Sequence, residues 1–389
     1  MPDPDRAAPL YILIAGEASG DTLGAELIAA LRRVRPTARF AGIAGPKMIA
    51  AGCAAWANTE ELSLAGITEV LTHLPRLLRL RARIVQRIIA ARPDVCIGID
   101  APEFNLGLER RVRSAGVLTV QYVSPQVWAW RQGRVKTIGA STDLVLCLLP
   151  FEIDFYAQHG VRAEFVGHPL ADRIAPEIDQ AAARRALGLD QAAQVIALLP
   201  GSRHGEVTRL GGDFAATAAW LAQRRRQLQF IAPMATPALS SVFAQALRAR
   251  APGVAVRLLQ GQAQLALAAA DAVLVASGTA TLETMLTGRP MVVAYRLGAL
   301  TAFLLRWMVK VPYFSQPNLL LGRRLVPEFF QGEVRPDLLG PALERALDDV
   351  AYRAELQREF SRVHLQLRCN GAERAAAAIV KRMAQGADA

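Results

Sequence analysis

Apolar, β-branched runs alternate with longer amphipathic segments along the whole of this chain, the pattern of strands in a parallel sheet and the helices that cover it. Strands are predicted at Tyr11 to Ala15, Phe40 to Ile43, Val95 to Ile99, Leu118 to Tyr122, Leu144 to Leu148 and Ala163 to Val166. A second series is predicted at Val195 to Leu199, Gln229 to Ala232, Val254 to Leu259, Ala272 to Ala276 and Met291 to Ala294. Both series open alike: Tyr11-Ile12-Leu13-Ile14-Ala15-Gly16 runs through a glycine turn into a helix, and Val195 to Gly201 repeats the device. The expected fold class is therefore α/β, with two Rossmann-like domains whose parallel sheets face across a cleft, and 389 residues give each domain a core of its own. The boundary is expected near Gly167-His168-Pro169, where glycine and proline interrupt the apolar pattern. That divides the chain into residues 1–167, residues 168–364 and a last segment, 365–389, whose helix crosses back to the first domain.

Hydrophobic residues make up 52% of the chain, yet no uncharged apolar run approaches the ~18 residues that cross a bilayer. Met1-Pro2-Asp3-Pro4-Asp5 lacks the basic and apolar segments of a signal peptide, so a cytoplasmic protein is expected. Cys53, Cys96, Cys147 and Cys369 are scattered without CxxC spacing, which indicates neither a disulfide framework nor a zinc site. The formal net charge of +11 asks for an anionic partner: nucleic acid, a phospholipid surface or a phosphorylated substrate. No RNP-type aromatic motif, helix-turn-helix signature or C2H2 spacing is present, and the basic residues are mixed with large aliphatic ones. That mixture favours lipid over nucleic acid.

Two loops in the second half have the chemistry of a diphosphate site. Leu199-Pro200-Gly201-Ser202-Arg203 and Ser277-Gly278-Thr279-Ala280-Thr281-Leu282-Glu283 each follow a predicted strand and open a helix. In each, a glycine lets backbone N–H groups approach an anion at the positive end of the helix dipole. Arg203 adds a two-pronged donor, and Glu283, about one turn into its helix, can accept ribose hydroxyls. Phosphate donors together with a ribose acceptor specify a nucleotide. The one DxD-like triplet, Asp3-Pro4-Asp5, lies in a terminal tail, so no metal and no cofactor are expected.

The first half carries carboxylates instead. Gly16-Glu17-Ala18-Ser19-Gly20-Asp21 has the position of a dinucleotide fingerprint but not its glycines, and Glu17 and Asp21 would repel a pyrophosphate. They suit a hydroxyl-bearing ligand or acid–base work, and Asp21 equally suits a helix cap. Asp100, in Ile97-Gly98-Ile99-Asp100-Ala101-Pro102-Glu103-Phe104-Asn105, falls just past a strand end, where open α/β sheets bind ligands, and is the candidate general base. A turn role is its alternative. Ser124-Pro125-Gln126-Val127-Trp128-Ala129-Trp130-Arg131 sets two indoles beside hydrogen-bond donors, as sugar sites do, although buried aromatic packing produces the same composition. His168 is a lone histidine of the kind that more often serves as a structural hydrogen-bonder.

An amphipathic helix is predicted over Leu64 to Ile89. Ile67, Val70, Leu71, Leu74, Leu77 and Leu78 recur at spacings of three and four, with Arg76, Arg79, Arg81 and Arg83 between them. Aliphatic residues exceed one narrow stripe and the polar positions are almost all basic, which fits contact with an anionic membrane or acyl chains better than core packing alone. Leu300 to Val311 is a second such segment.

Taken together, these motifs, with Leu149-Pro150-Phe151-Glu152, Gly167-His168-Pro169, Glu206 and Pro317-Asn318-Leu319-Leu320, resemble the lipid-A-disaccharide synthase family from about Tyr11 to Ala378. Glu103 departs from the pattern, where family members often have Asp. The resemblance implies a GT-B fold and a metal-independent, inverting glycosyltransferase. Its donor would be UDP-2,3-diacylglucosamine and its acceptor 2,3-diacylglucosamine 1-phosphate, and it would act at the inner face of a Gram-negative cytoplasmic membrane. It allows a homodimer and no nucleic-acid partner. On this chain it implies that Gly201, Ser202, Arg203, Glu206, Gly278, Thr279, Ala280 and Glu283 hold the nucleotide, with Tyr295 and Asn318 nearby. It places Asp100, Glu17, Asp21 and Ser19 around the acceptor sugar, and makes Ser124, Trp128, Arg131 and His168 substrate contacts. A UDP-N-acetylglucosamine 2-epimerase-like isomerase and a non-catalytic nucleotide-binding module are the competing readings.

Overall fold

The computed structural model describes residues 8–62, 67–130, 132–225, 227–298 and 312–387; the side chains of 63–73, 130 and 386–387 lie outside that description. The chain forms two compact units, one of Met1–Asp172 with Leu367–Ala389 and the other of Arg173–Gln366. Each is built on one parallel sheet.

The first sheet has seven strands: β1 (Leu10–Ala15), β2 (Arg39–Ala44), β3 (Cys53–Asn58), β4 (Val95–Ile99), β5 (Leu118–Tyr122), β6 (Leu144–Cys147) and β7 (Ala163–Phe165). Their order is β3-β2-β1-β4-β5-β6-β7. The second has β8 (Gln194–Leu199), β9 (Leu228–Met234), β10 (Val256–Gln260), β11 (Ala272–Ala276), β12 (Met291–Tyr295) and β13 (Glu328–Phe330), in the order β10-β9-β8-β11-β12-β13. The order reverses direction between β1 and β4 and again between β8 and β11, and ligands bind at such switch points, beyond the carboxyl ends of the strands. Two strands were not expected. β3 is alanine-rich, Cys-Ala-Ala-Trp-Ala-Asn, and β13 is three residues long, so neither carries a β-branched run.

Helices cover both faces of the first sheet. Leu27, Ile28 and Leu31 of α1 (Ala18–Val34) are buried on one face together with Ala375, Ala376 and Ile379 of the helix Gly371–Ala387. α3 (Ile67–Ala91) lies on the other face with Leu80, Ile84, Val85 and Ile88 buried, each worth about 1.5–3 kcal/mol. Its earlier turns do otherwise: Leu74 and Leu78 are 44% exposed and Leu77 is half-buried. The expected apolar excess is thus divided along one helix between a core-facing half and a solvent-facing half. Of the other residues expected on that face, the side chains of Ile67, Val70 and Leu71 lie outside the described ones, as does the whole of Leu300 to Val311. No helix among the described residues is long and apolar enough to cross a membrane.

Candidate active site

Strand register brings the first-unit loops together. Ala15 of β1 pairs with Ile99 of β4, so Gly16 and Asp100 leave the sheet side by side. A side chain on Gly16 would come within 2.5 Å of the Ala101 Cβ, so only glycine lets the two loops touch. Glu17 and Ser19 are exposed beside this contact, with Glu17 in extended backbone at the N-cap of α1.

Asp100 is half-buried and has φ +52°, and Ala101 follows at φ +43°, so two consecutive non-glycine residues are left-handed at a cost of about 1–2 kcal/mol each. α4 (Pro102–Ser114) starts directly after them. Asp100 keeps its N–H on Tyr122 O at 2.9 Å. Its carbonyl is held by Asn105 Nδ2 at 2.8 Å and by Gln121 Nε2 at 3.2 Å. Burial raises the carboxyl's pKa above the usual aspartate value, with a hydrogen bond from the Ala101 backbone opposing the rise. A carboxylate shifted toward neutrality at a strand end is suited to take a proton.

Several expected contacts turn inward. Asp21 is 3% exposed, and its carboxylate accepts the backbone N–H groups of Gly45 and Lys47 at 2.9 Å and of Met48 at 3.0 Å. It caps α2 (Pro46–Ala50), so the expectation that it faces a sugar is corrected: both oxygens are occupied, and by another helix than its own. Trp128, in α5 (Val127–Trp130), is buried edge-on against Phe151 and donates Nε1–H to Glu152 Oε1 at 3.1 Å. Ser124 is buried on the Tyr156 hydroxyl at 3.0 Å. These two form a packed network around Glu152, which burial pushes up to about 7, and the expectation of sugar contacts is corrected accordingly. His168 is buried, with Nδ1 accepting Leu170 N–H at 3.2 Å and its own N–H on Leu367 O. Arg131 lies outside the described residues.

In the second unit Leu199 pairs one position before the end of β11, so the loops after β8 and β11 also emerge together. Gly201 has φ +138° and Gly278 φ +153° with ψ −163°, regions open in practice only to glycine. A Cβ on Gly201 would also meet Glu206 Cβ at 2.4 Å. Glu206 accepts Ser202 N–H at 3.0 Å and Arg203 N–H at 3.3 Å, closing the loop onto the helix His204–Ala222. Two of the donors expected to hold phosphate therefore bond Glu206 Oε2, so Glu206 caps the helix from within, and its Oε1 lies 3.5 Å from the Arg203 guanidinium. The first-turn N–H groups of His204 and Gly205 have no intrahelical acceptor and point outward from the helix end. Arg203 is 84% exposed over the same end.

The helix Thr279–Leu286 begins at Gly278 with Thr279 exposed and Ala280 half-buried. Glu283 is half-buried on its next turn, its pKa raised by burial and its carboxylate unengaged by any described residue. Tyr295, at the end of β12, is half-buried with Phe314 and Phe330 at ring-centroid distances of 5.9 and 6.1 Å. Asn318 is fully buried: Nδ2 donates to Val326 O and Glu328 Oε1, both at 2.8 Å, while Oδ1 accepts Leu325 and Val326 N–H at 2.9 Å. All its hydrogen-bonding capacity is used. The expectation that Asn318 touches the nucleotide is corrected; it shapes the segment that passes the site.

Asn105, Gln121 and Glu328 carry more of this geometry than their sequence context suggests. Asn105 sits in a strand-end motif without a distinguishing neighbour, Gln121 is a polar residue inside a buried strand, and Glu328 belongs to the short β13. Among the described residues no group of three or more His, Cys, Asp or Glu could hold a metal ion.

The family model of lipid-A-disaccharide synthetase matches residues 11–380. A lipid-A-disaccharide synthase of Alkalilimnicola ehrlichii is 53% identical over 370 residues, 95% of this chain and 97% of that protein. One of Pseudomonas aeruginosa is 50% identical over 369 residues, 95% and 97% of the two chains. Among solved structures, the UDP-GlcNAc 2-epimerase of Neisseria meningitidis bound to UDP-GlcNAc aligns with a TM-score of 0.62 at 9% identity, over 97% of this chain and all of its own. The calicheamicin glycosyltransferase CalG4 aligns at 0.57 and 18% identity, over 96% and 98%. At such identities the structural likeness shows the fold alone, two parallel-sheet α/β domains of GT-B type, and the epimerase is a distant match of that kind.

Proposed function

The chain belongs to the lipid-A-disaccharide synthase family, a family of glycosyltransferases, and from that premise we propose the reaction it performs. The donor is UDP-2,3-diacylglucosamine and the acceptor 2,3-diacylglucosamine 1-phosphate. The acceptor 6-hydroxyl oxygen attacks the anomeric carbon as the bond from that carbon to the UDP β-phosphate breaks. The electron pair leaves with UDP, the configuration inverts, and a β-1,6-linked disaccharide 1-phosphate forms.

Asp100 takes the hydroxyl proton, and Glu17 and Ser19 bind the acceptor sugar. The developing diphosphate charge is met by Arg203 and by the helix ends at His204 and Thr279, with Gly201 and Gly278 allowing the approach. Glu283 accepts the ribose hydroxyls, and Tyr295 offers an aromatic face to the base. The observation that carries this reading is the half-buried carboxylate of Asp100 held left-handed at the β1–β4 switch point, where a proton acceptor has no use in a simple nucleotide-binding module.

Substrates with two acyl chains each are insoluble in practice, since every exposed CH₂ costs ~0.8 kcal/mol. α3 supports delivery from a lipid surface: Leu74 and Leu78 are exposed beside the exposed Arg76 and Arg79. We place the protein peripherally on the inner face of the cytoplasmic membrane on that basis. The test is incubation with UDP-2,3-diacylglucosamine, with and without the monosaccharide 1-phosphate. Disaccharide that appears only with acceptor supports the proposal, and a 2-epimerised nucleotide sugar without disaccharide would replace it with the isomerase.

A further inference from the structure

The left-handed backbone at Asp100 is part of a wider pattern. Asp100 at φ +52°, Ala101 at φ +43° and Val123 at φ +77° lie at the ends of two neighbouring strands, β4 and β5. Val123 is β-branched, for which positive φ is a true outlier. Backbone of this kind persists only where its surroundings hold it.

Two fully buried amides do the holding. Asn105 Nδ2 donates to Asp100 O at 2.8 Å and lies 3.3 and 3.5 Å from the carbonyl oxygens of Ile14 and Ile99. Gln121 Nε2 lies 3.2 Å from both Asp100 O and Val123 O, joining the two irregular strand ends. The opposite ends of these side chains, Asn105 Oδ1 and Gln121 Oε1, are buried without a hydrogen-bond partner. An acceptor left orphaned costs free energy, so the position is occupied for its donors. No carboxylate or apolar side chain can replace them.

We propose that Asn105 and Gln121 are positioning residues of the transfer reaction, clamping the Asp100 carbonyl so that its carboxylate stays aimed out of the sheet edge. This rests on the reading of Asp100 as the base. The N–H of Asp100 is fixed on Tyr122 O and its carbonyl by the two amides, so the peptide planes on both sides are set and the direction of the Cα–Cβ bond with them. Both amides are fully buried, so they act through Asp100.

The test is a double-mutant cycle on the full chain, with turnover measured under single-turnover conditions and UDP affinity by calorimetry. Asn105→Ala and Gln121→Met should each lower the rate about 10–100-fold, the scale of a misplaced reacting group, while UDP affinity in the other unit stays within about twofold. Asp100→Asn should lower it by about 10²–10⁴, and adding Asn105→Ala to Asp100→Asn should cost nothing further. Ala101→Gly, which removes one left-handed penalty, should recover part of the rate lost in Gln121→Met. Wild-type rates in the folded variants, or equal losses with and without Asp100, overturn the clamp. Full activity of Asp100→Asn instead overturns the base assignment, which is a separable result. If Asn105→Ala fails to fold, the more conservative Gln121→Met carries the same cycle.

Discussion

Asn318 donates from Nδ2 to Oε1 of Glu328 at 2.8 Å, and this bond ties the helix Gln316–Leu321 to β13. Glu328 also accepts Ser315 N–H at 2.9 Å and the Ser315 hydroxyl, so one buried carboxylate gathers residues 315–318. Asn318→Ala would leave the Leu325 and Val326 N–H groups and part of Glu328 unpaired in the interior. The expected loss is about 2–5 kcal/mol, or roughly 5–15 °C in melting temperature at this size. The donor KM should rise with it, because the segment beside Tyr295 loosens. Thermal denaturation and initial rates read both, and an unchanged melting temperature with a raised KM would return Asn318 to a direct nucleotide contact.

Asp21 and Asp100 should respond in opposite ways. Asp21→Asn replaces an oxygen that accepts backbone N–H by an amide that cannot, and α2 loses its cap at a cost of about 1–2 kcal/mol. Turnover of the folded protein should stay within a few-fold of wild type. A large fall in turnover at unchanged stability would restore Asp21 as a catalytic group.

Two kinds of information separate the parts of this protein that its sequence discloses from those it hides. β1, β4, β8 and β11 are legible because a strand buried on both faces needs a continuous apolar, β-branched run, and the residues just beyond them inherit the switch-point position. The strand-end positions of Asp100, Gly201 and Gly278 are legible in that way. Direction is what a linear string lacks. Asp21 and Asn318 sit in segments of ligand-binding composition but turn into the fold, Glu206 turns back onto the loop before its own helix, and nothing in their neighbours distinguishes a side chain that bonds the backbone from one that bonds a sugar hydroxyl. β3 was hidden because alanine has no strand preference, and its pairing with β2 comes from the neighbouring chain segment. α3 is legible as an apolar excess, but the point at Leu80 where its buried stretch begins is not.

Glu109 in α4 is fully buried, and both carboxyl oxygens are without hydrogen-bond partners. Burial pushes it up to about 8, with only the nearby Gly98 N–H, outside hydrogen-bond geometry, favouring the charged form. The folded protein therefore keeps a proton that the unfolded chain releases near pH 4.5. Stability from this group is complete below that pH and is lost as pH rises toward 8, on the order of 5 kcal/mol over the window. Glu109→Gln should flatten the fall in melting temperature between pH 6 and 9, leaving the smaller contribution of Glu152, pushed up to about 7. Identical slopes in the two proteins would mean that Glu109 is ionised in the fold.

Leu74 and Leu78 are exposed, so changing both to Ser removes nothing from the core. Binding to vesicles rich in phosphatidylglycerol should weaken about 10–100-fold, the value of partly burying two leucines. The melting temperature should not move. Raised salt should weaken the wild type as well, since Arg76 and Arg79 contribute by charge. A lower melting temperature in the double variant would assign the pair to packing and remove the membrane reading of α3.

Glu283 bears the most direct test of the nucleotide site, because no described residue competes for its carboxylate. Glu283→Gln keeps size and leaves the fold as it is, but exchanges a charged acceptor for a neutral one. A hydrogen bond to a charged group contributes about 1.5–3 kcal/mol, so UDP affinity should fall about 10–100-fold. The raised pKa adds a sign: as pH falls, Glu283 protonates before an ordinary glutamate does, and wild-type UDP affinity should decline above the usual glutamate range. The glutamine variant, with no proton to gain, should lack that decline. Calorimetric titrations of both proteins between pH 5 and 8 decide it, and parallel curves would move the ribose contact away from Glu283.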